Sequence, residues 1–482
     1  MNEIDAQHLS RHAARRARKK NRDDALQQSS KLGYVIIGAC VLIMTLAFVF
    51  TQQVDARATP QPEKIPADSV KASSLSTSWI CPISGSAASA DSILLSNPDF
   101  DRSANVQVVS YDPAGNVTGK TELKIEPSAT KEIGLGVLGS NDASSILVDS
   151  FSGSIVVFRS MTLIDGVELL PCINNFGSQA VFPNLETIRN SNSIIVLANP
   201  YDEAVVVDVV GTLTDTSINP PISVLDEIRG VIIPAHGRVN LDLQSEFGRY
   251  GLVSVAVNSR SGFFGAEAFL SFTGGESVQG QAVVSAAPDI SSSKNQSWVG
   301  VAPTRVVARN DSQHSFSLGI TALASDKRSI NGEPQVISPF TTSTLNNIGS
   351  DFLTRTMTLA IEDSSNKPNN IFASWIHASG NAVSSGSTNH QGSLRALALV
   401  NNQDNLFIYN PNREKATIAI QILGSNNKKE ITLDGLLYTA VPLNFLALQS
   451  DSVLEVTSTQ KIVSAVGDSK MTHYSQTVDI RP

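Results

Sequence analysis

The sequence predicts an all-β protein of tandem sandwich modules that follow a single N-terminal transmembrane helix. Three observations lead to this prediction. Leu32–Phe50 is an apolar run of 19 residues without a charge. Beyond it, short β-branched runs alternate with clusters of Gly, Pro, Asn, Asp and Ser, which is the pattern of strands and turns. Finally, one strand-and-turn phrase recurs about every 100 residues, and such a period indicates repeated structural units.

The apolar run is long enough to cross a membrane. A helix rises about 1.5 Å per residue, so the run spans roughly 28 Å, close to the hydrocarbon thickness of a bilayer. Residues 1–31 carry eight Lys/Arg and four Asp/Glu, and this excess predicts a cytoplasmic N-terminus with the rest of the chain outside. A cleaved signal peptide, with Ala56-Arg57-Ala58 as the cleavage site, is the alternative. Both interpretations place the long C-terminal part outside the cytoplasm.

The charge balance restricts the partners. The chain has 36 Lys/Arg and 44 Asp/Glu, which leaves 28 basic and 40 acidic residues after the apolar run. An acidic ectodomain argues against nucleic acid, or an anionic glycopolymer, as a partner held by net charge. The membrane is the one partner that the sequence itself predicts.

The three cysteines differ in their predicted surroundings. Cys40 lies inside the apolar run, whereas Cys81 and Cys172 lie outside the membrane, where disulfides persist. We therefore expect a disulfide between Cys81 and Cys172. No CxxC and no Cys/His cluster is present, so the sequence predicts no metal site.

The recurring phrase is an apolar strand that stops at Asn. Three copies end in Asn-Pro, at Asn97, Asn199 and Asn410, and a weaker copy ends at Asn310. The intervals between them are 102, 111 and 100 residues. Asn can bond to its own backbone and start a turn, and Pro cannot extend a strand ladder. Each copy therefore predicts the end of a strand.

Each unit then continues in a similar way. About thirty residues after the Asn, a strand is broken by a turn at Pro127, Pro234 or Pro339; the fourth copy has ITLDGLLYTAVPL instead. A final pair of strands follows, as in ILVDSFSGSIVVFRS, and we expect it to form a hairpin. Six or seven strands in about 100 residues predict an immunoglobulin-like β-sandwich.

Within the second unit, alternation predicts that Val205, Val207 and Val209 point inward and Asp208 outward. Between the apolar run and the first unit, Pro and Ser predict an extended tether. The predicted segments are a basic cytoplasmic tail (1–31), a transmembrane helix (32–51), the tether (52–77) and four sandwich modules (78–182, 183–290, 291–392 and 393–482).

The layout resembles a family of actinobacterial envelope proteins defined by a domain of unknown function. The resemblance rests on the short basic N-terminus, the single span, the repeated phrases and the motif Trp79-Ile80-Cys81-Pro82 at the start of the ectodomain. It covers residues 11 to about 470. It implies an envelope location and a membrane-anchored architecture, and it transfers no catalytic residue.

One motif fits a loose phosphate-binding loop. Ala114–Thr121 reads AGNVTGKT after an apolar strand. A phosphate loop needs a helix directly after it, whereas the residues that follow alternate like a strand. We therefore predict a hairpin turn at Asp112–Asn116.

Other candidates for chemistry lack the necessary context. Asn97, Asp99 and Asp101 have a spacing that suits Ca²⁺, but a solvated turn is the stronger interpretation. Gly467-Asp468-Ser469 lacks the strand-to-helix elbow of a hydrolase. No histidine has a ligand spacing, and we expect solvated loop residues at His8, His12, His236, His314, His377, His390 and His473.

Aromatic residues are sparse, which gives a sugar-binding surface little support. The only tryptophans are Trp79, Trp298 and Trp375, and we expect Trp79 and Trp298 to pack at the starts of modules. Phe263-Phe264 is either an exposed contact or part of a core, and the core is favoured.

The sequence therefore predicts a non-catalytic scaffold or partner-binding protein of the cell envelope, with no cofactor. Its expected partner, besides the membrane, is another envelope protein or an envelope glycan. One alternative is an accessory subunit or a divergent enzyme of envelope polysaccharide assembly, and another is a surface adhesin.

Overall fold

In the computed structural model the chain divides into two units, Met1–Ala67 and Asp68–Pro482, and all of the described residues lie in the second. The predicted tail, the predicted transmembrane helix and the tether up to residue 75 lie outside the described residues. Where the structure describes the chain, no helix is long and apolar enough to cross a membrane. The described residues are 76–82, 91–139, 144–163, 166–188, 191–213, 226–274, 278–287, 295–299, 305–324, 329–331, 334–345, 354–361, 371–379, 382–387, 393–446, 448, 451–468 and 474–480.

Strands make up most of the described residues, so the prediction of an all-β protein is confirmed. Helical structure there is limited to the short helix α1, Leu243–Phe247, and two 3₁₀ turns, Leu135–Leu138 and Leu443–Leu446. Asp242 caps α1, because its side chain accepts hydrogen bonds from the N–H groups of Gln244 and Ser245.

The first repeat has eight strands in two antiparallel sheets. One sheet has the order β1-β6-β3-β4 and the other β5-β2-β7-β8. The strands are β1 (Ser78–Pro82), β2 (Ser92–Asn97), β3 (Ala104–Tyr111), β4 (Val117–Ile125), β5 (Ala129–Gly134), β6 (Ser145–Ser152), β7 (Val156–Leu163) and β8 (Gly166–Pro171).

The second repeat has the same strand order, β12-β11-β14-β9 in one sheet and β13-β10-β15-β16 in the other. The boundary predicted after residue 182 falls inside β9, whose partner β14 belongs to this repeat. The strands are β9 (Gln179–Leu185), β10 (Ser191–Ala198), β11 (Val205–Leu213), β12 (Asp226–Ile233), β13 (Arg238–Asp242), β14 (Val253–Ser261), β15 (Gly265–Gly274) and β16 (Val278–Ser285).

The third repeat follows the same plan, with β17-β23-β19-β20 in one sheet and β22-β18-β24-β25 in the other, while β21 also pairs with β19. Its strands are β17 (Asn295–Val299), β18 (Arg305–Asn310), β19 (Phe316–Ala324), β20 (Ser329–Asn331), β21 (Gln335–Ile337), β22 (Thr342–Thr344), β23 (Thr354–Ile361), β24 (Ile371–Ser379) and β25 (Ala382–Ser387).

The fourth repeat has the orders β29-β28-β31-β26-β33 and β30-β27-β31-β32, with the long β31 shared by both sheets. Its strands are β26 (Ser393–Val400), β27 (Asp404–Tyr409), β28 (Ala416–Ile422), β29 (Lys428–Leu433), β30 (Tyr438–Pro442), β31 (Ser452–Asp468), β32 (Tyr474–Gln476) and β33 (Val478–Asp479).

The predicted final hairpin of each unit is wrong. In the first repeat β6 and β7 lie in opposite sheets, and β7 pairs with β2 and β8. The short link includes Gly153 at a φ of 77°, a conformation that glycine adopts without steric cost and that also suits a hairpin turn. The turn residues alone therefore do not distinguish a hairpin from a crossing between sheets.

The two sheets of each repeat enclose an apolar core. In the second repeat Val205, Val207 and Val209 are at most 2% exposed and belong to the core. Asp208 lies on the other face of β11 and pairs with Arg260. The alternation predicted for this strand is confirmed.

Successive repeats also pack against one another. Val181 and Ala256 of repeat 2 form a buried cluster with Phe372 of repeat 3. Phe407 and Tyr409 of repeat 4 belong to the core cluster of repeat 3. Arg159 of repeat 1 forms a buried ion pair with Glu267 of repeat 2, so contacts join all four repeats in the order of the chain.

The fourth repeat returns to the first. Leu397, Leu399 and Val453 of repeat 4 belong to the same buried cluster as Leu94 and Phe158 of repeat 1. In this contact, the sheet of repeat 4 that contains β26 faces the sheet of repeat 1 that contains β2. Repeats 2 and 3 meet in the same way, because the sheet that contains β9 faces the sheet that contains β18. Head-to-tail contacts of this kind can close into a ring. The contacts therefore run in a closed order from repeat 1 to repeat 4 and back.

Candidate functional site

The predicted disulfide between Cys81 and Cys172 is confirmed. Cys81 lies on β1 and Cys172 directly follows β8, so the bond joins the two sheets of the first repeat. Both residues are at most 2% exposed. Beside them, the fully buried Trp79 donates its indole N–H to the carbonyl of Ile155 at 3.0 Å. The motif Trp79-Ile80-Cys81-Pro82 thus closes the core of repeat 1.

The four repeated asparagines have one shared role. They begin the loop between the second and third strands of each repeat, here called the Asn loop, and they are at most 1% exposed. In each, Oδ1 accepts the N–H of the residue two positions later. Each Nδ2 donates to backbone carbonyls: Asn97 to Arg102, Ile125 and Glu126; Asn199 to Glu203 and Pro234; Asn310 to His314, Ile337 and Ser338; Asn410 to Glu414, Leu433 and Asp434.

These bonds do more than the sequence predicted. The bond from Oδ1 to the local backbone is the predicted turn. The bonds from Nδ2 also hold the far end of β4, β12, β21 or β29, which lies 23 to 35 residues away. Buried carbonyls need a donor, and one amide supplies two or three of them. The side chain of the repeated Asn therefore joins two distant loops by hydrogen bonds.

A residue with a left-handed backbone recurs beside each of these asparagines. Four residues have φ between 53° and 58° and occupy the turns that follow β4, β12, β21 and β29: Ser128, His236, Phe340 and Leu436. The N–H of Ser128 donates to the carbonyl of Asp99 at 2.8 Å, and His236 and Leu436 donate to their own Asn loops in the same way. A left-handed backbone is costly for residues other than Gly, Asn and Asp. The surrounding hydrogen bonds hold these turns in place.

The residues considered for Ca²⁺ take part in the same loop. The Asn97 amide is occupied by three carbonyls, and Asp99 Oδ1 accepts the N–H groups of Asp101 and Arg102. The N–H of Asp101 is the main cause that lowers the pKa of Asp99. Hydrogen bonding within the loop accounts for the spacing of these side chains. Among the described residues, no group of three or more His, Cys, Asp or Glu is arranged to hold a metal ion.

The segment that fits a phosphate loop is a hairpin. β3 and β4 pair antiparallel across Asp112–Asn116. Asp112 accepts the N–H of Gly115 on its carbonyl at 3.0 Å and the N–H of Asn116 on Oδ1 at 2.8 Å. The side chain of Asn116 is the main cause that lowers the pKa of Asp112. The predicted hairpin turn is confirmed.

This hairpin meets the second repeat. The N–H of Arg238 donates to the carbonyl of Pro113 at 3.0 Å, and a Cβ on Gly115 would lie 1.9 Å from the carbonyl oxygen of Ala235. Only glycine fits at this contact. Close approach between repeats, as well as the turn, therefore requires Gly115.

The prediction of a solvated loop is wrong for His236. Its side chain is 22% exposed, its ring stacks on Tyr111 with 4.7 Å between centroids, and Nε2 lies 2.7 Å from Asp202 Oδ1. His314 offers its backbone carbonyl to Asn310, and the loop prediction is also wrong for His377, which lies in β24. His8, His12, His390 and His473 lie outside the described residues.

The remaining candidates lie in ordinary strand and core positions. Gly467 and Asp468 end β31, while Ser469 lies outside the described residues. Trp375 is 1% exposed and packs in the core of repeat 3. Phe263 and Phe264 have different surroundings, because Phe264 is 2% exposed and Phe263 is 44% exposed. Trp298 lies in β17, and its side chain is outside the described part.

Charged residues in the junctions were missed at the sequence level. Arg159 of repeat 1 and Glu267 of repeat 2 form two parallel hydrogen bonds, with side chains 1% and 2% exposed. Arg159 also donates to the carbonyl of Pro82. The junction between repeats 2 and 3 has Arg309, which donates to Thr212 at 3.0 Å and to Ser254 at 3.1 Å. A charge inside an apolar strand is the only signal that marks Arg159 in the sequence.

Comparisons with known proteins add little. No protein-family model matches the chain, and no curated protein matches it. Among solved structures it is similar to the chain in "Crystal Structure of Tripeptidyl Peptidase 2 (TPP II)", at 10% identity and a TM-score of 0.13. The alignment covers 86% of this chain and spans 39% of that chain. A TM-score this low carries no argument about fold or activity.

Proposed function

We propose that the chain is a non-catalytic scaffold of the bacterial cell envelope that presents a partner-binding surface. The observation that supports this proposal is the role of the polar residues that recur with the repeats. Asn97, Asn199, Asn310 and Asn410 hold loops together and are buried. What the repeats preserve is therefore their architecture. The proposed partner is another envelope protein or an envelope glycan.

The proposal includes a membrane anchor at residues 32–51, with residues 1–31 in the cytoplasm and residues 52–482 outside. The Lys/Arg excess beside the apolar run supports this topology. The Cys81–Cys172 disulfide supports it too, because disulfides persist in oxidising compartments. In intact cells stripped of wall, added protease should digest the C-terminal part. A C-terminus protected from protease would contradict the topology.

We further propose that the repeats are variants of the immunoglobulin-like sandwich. In the constant-type immunoglobulin domain the first strand lies in the sheet of the second, and the seventh in the sheet of the sixth. Here the first strand β1 pairs with the sixth strand β6, and the seventh strand β7 pairs with the second strand β2. The proposed variant exchanges the first and seventh strands between the sheets, and its fourth strand, β4, pairs with the third strand, β3. The resemblance to actinobacterial envelope proteins supports the location rather than this strand order.

A complementation series tests the scaffold. Cells that lack the protein receive versions with single Asp, Glu, His or Ser substitutions, or with one whole repeat deleted. We expect exposed polar substitutions to retain function and repeat deletions to abolish it. A single polar substitution that abolished function, in a protein that stayed folded, at normal level and able to bind its partner, would instead favour the enzyme of polysaccharide assembly.

A further inference from the structure

The Asn loop of repeat 1 holds an arginine side chain from repeat 4. The guanidinium carbon of Arg395 lies 4.4 Å from the centroid of the Phe100 ring. Its Nη2 donates to the carbonyl of Pro98 at 2.9 Å. The positive charge of Arg395 is also a minor cause, after the N–H groups of Asp101 and Arg102, that lowers the pKa of Asp99. Within its own repeat, Arg395 Nε also donates to Glu455 Oε1 at 2.6 Å. An aromatic ring and a carbonyl of the Asn loop, with the Asp99 carboxylate nearby, thus form one side of an arginine site.

The Asn loop of repeat 2 offers the same groups. It reads Asn-Pro-Tyr-Asp-Glu where repeat 1 reads Asn-Pro-Asp-Phe-Asp. Tyr201 is 42% exposed, the Asp202 side chain is 95% exposed, and Glu203 is exposed. Phe176 packs edge-on against Tyr201, with 6.1 Å between ring centroids, and supports one side of its ring. The Asn loops of repeats 3 and 4 contain no aromatic residue.

Among the described residues, no Lys or Arg lies over the ring of Tyr201, while His236 Nε2 lies 2.7 Å from Asp202 Oδ1 and leaves the rest of that exposed carboxylate open to a partner. In that part of the chain, the cations placed over rings are Arg395 on Phe100 and Lys429 on Phe445. The order of the repeats explains the difference. Arg395 lies on β26, the first strand of the repeat that precedes repeat 1 in the closed order. The first strand of repeat 1, which precedes repeat 2, reads SWICP and has no basic residue.

We propose that Tyr201, Asp202 and Glu203 bind an arginine side chain of a partner protein. The guanidinium would stack on the exposed face of Tyr201, and the two carboxylates would lie beside it. The charge of the ectodomain is complementary to such a partner, with 28 basic and 40 acidic residues after the apolar run. This inference rests on the proposed function, because it names the chemistry of the partner that the scaffold would present.

Binding of a model peptide to the full chain tests the inference. The probe is an octapeptide of alternating Arg and Gly, and its control has citrulline in place of Arg, which keeps the shape and removes the charge. Dissociation constants are measured by biolayer interferometry at two salt concentrations. We expect the Arg peptide to bind about tenfold or more tightly than the citrulline peptide, and more weakly at high salt.

Variants locate the site. Tyr201→Ala should weaken binding about fivefold or more, whereas Tyr201→Phe keeps the ring and should retain it. Asp202→Asn combined with Glu203→Gln should weaken binding of the Arg peptide and make that binding less sensitive to salt. Phe151→Ala is the matched control, because Phe151 is 69% exposed on repeat 1 and should not contribute. Thermal unfolding checks that each variant stays folded.

The inference is overturned if the Arg peptide fails to bind, if both peptides bind equally, or if Tyr201→Ala has no effect. Such results leave the scaffold itself in place, since the complementation series tests that separately. Conversely, a catalytic residue found by complementation would overturn the scaffold while the peptide measurements stayed the same.

Discussion

The buried ion pair between repeats 1 and 2 gives the sharpest energetic prediction. Arg159→Met or Glu267→Leu removes one partner of a pair whose side chains are 1% and 2% exposed. The remaining charge is then buried without its partner, and breaking such a pair costs about 3–5 kcal/mol. Replacing both residues, as Arg159→Met with Glu267→Leu, removes both charges and should restore most of the lost stability. The expected coupling energy therefore approaches the sum of the two single losses.

The assay is urea denaturation, followed by the fluorescence of the buried tryptophans. Hydrogen exchange of the amides in β7 and β15 assigns the affected transition to repeats 1 and 2. Glu122→Gln is the matched control, because its pair with Lys120 has side chains 66% and 50% exposed, and such surface pairs contribute about 0–1 kcal/mol. The reasoning is refuted if the single substitutions cost no more than this control, or if the double variant loses the sum of the two single effects.

Three further predictions concern the repeats themselves. Replacing Cys81 and Cys172 by Ser should lower the free energy of unfolding of repeat 1 by about 4–5 kcal/mol, since the bond closes a loop of 91 residues; equal urea midpoints with and without reductant would contradict this. Val207→Asp buries an unpaired charge at a site that is 0% exposed, and circular dichroism should show loss of strand structure. Leu436→Gly should stabilise repeat 4 by up to about 1 kcal/mol, because φ is 58° at this position, whereas Leu436→Val should destabilise it. If Leu436→Gly melts at a lower temperature than Leu436→Val, the backbone of Leu436 is not strained.

The sequence was most informative where the cause of the structure is local. Strands follow from alternation over a few residues, as at Val205, Val207 and Val209. The hairpin at Asp112–Asn116 follows from turn residues, and the repeated Asn from its position at the end of a strand. The disulfide was predictable because Cys81 and Cys172 were the only cysteines after the apolar run.

The rest depends on residues that are far apart in the chain. Arg159 and Glu267 are separated by 108 residues, and nothing around either one identifies the other. The crossing between β6 and β7 uses the same turn residues as a hairpin, so its outcome depends on the packing of both sheets. Likewise, the outward-facing Leu397 and Leu399 look like ordinary strand residues until repeat 1 covers them.

The closed order of the repeats is the central structural claim, and one cross-link tests it directly. Ser160 Oγ of repeat 1 donates to Asp451 Oδ2 of repeat 4 at 3.2 Å, although 291 residues separate them. In the variant Ser160→Cys/Asp451→Cys, we expect a disulfide to form under mild oxidation and to be found by non-reducing peptide mapping. A pairing of Phe151→Cys with Asp451→Cys is the control. If the thiols at positions 160 and 451 stay free and react with a labelling reagent in the folded protein, repeat 4 does not return to repeat 1, and the closed order is wrong.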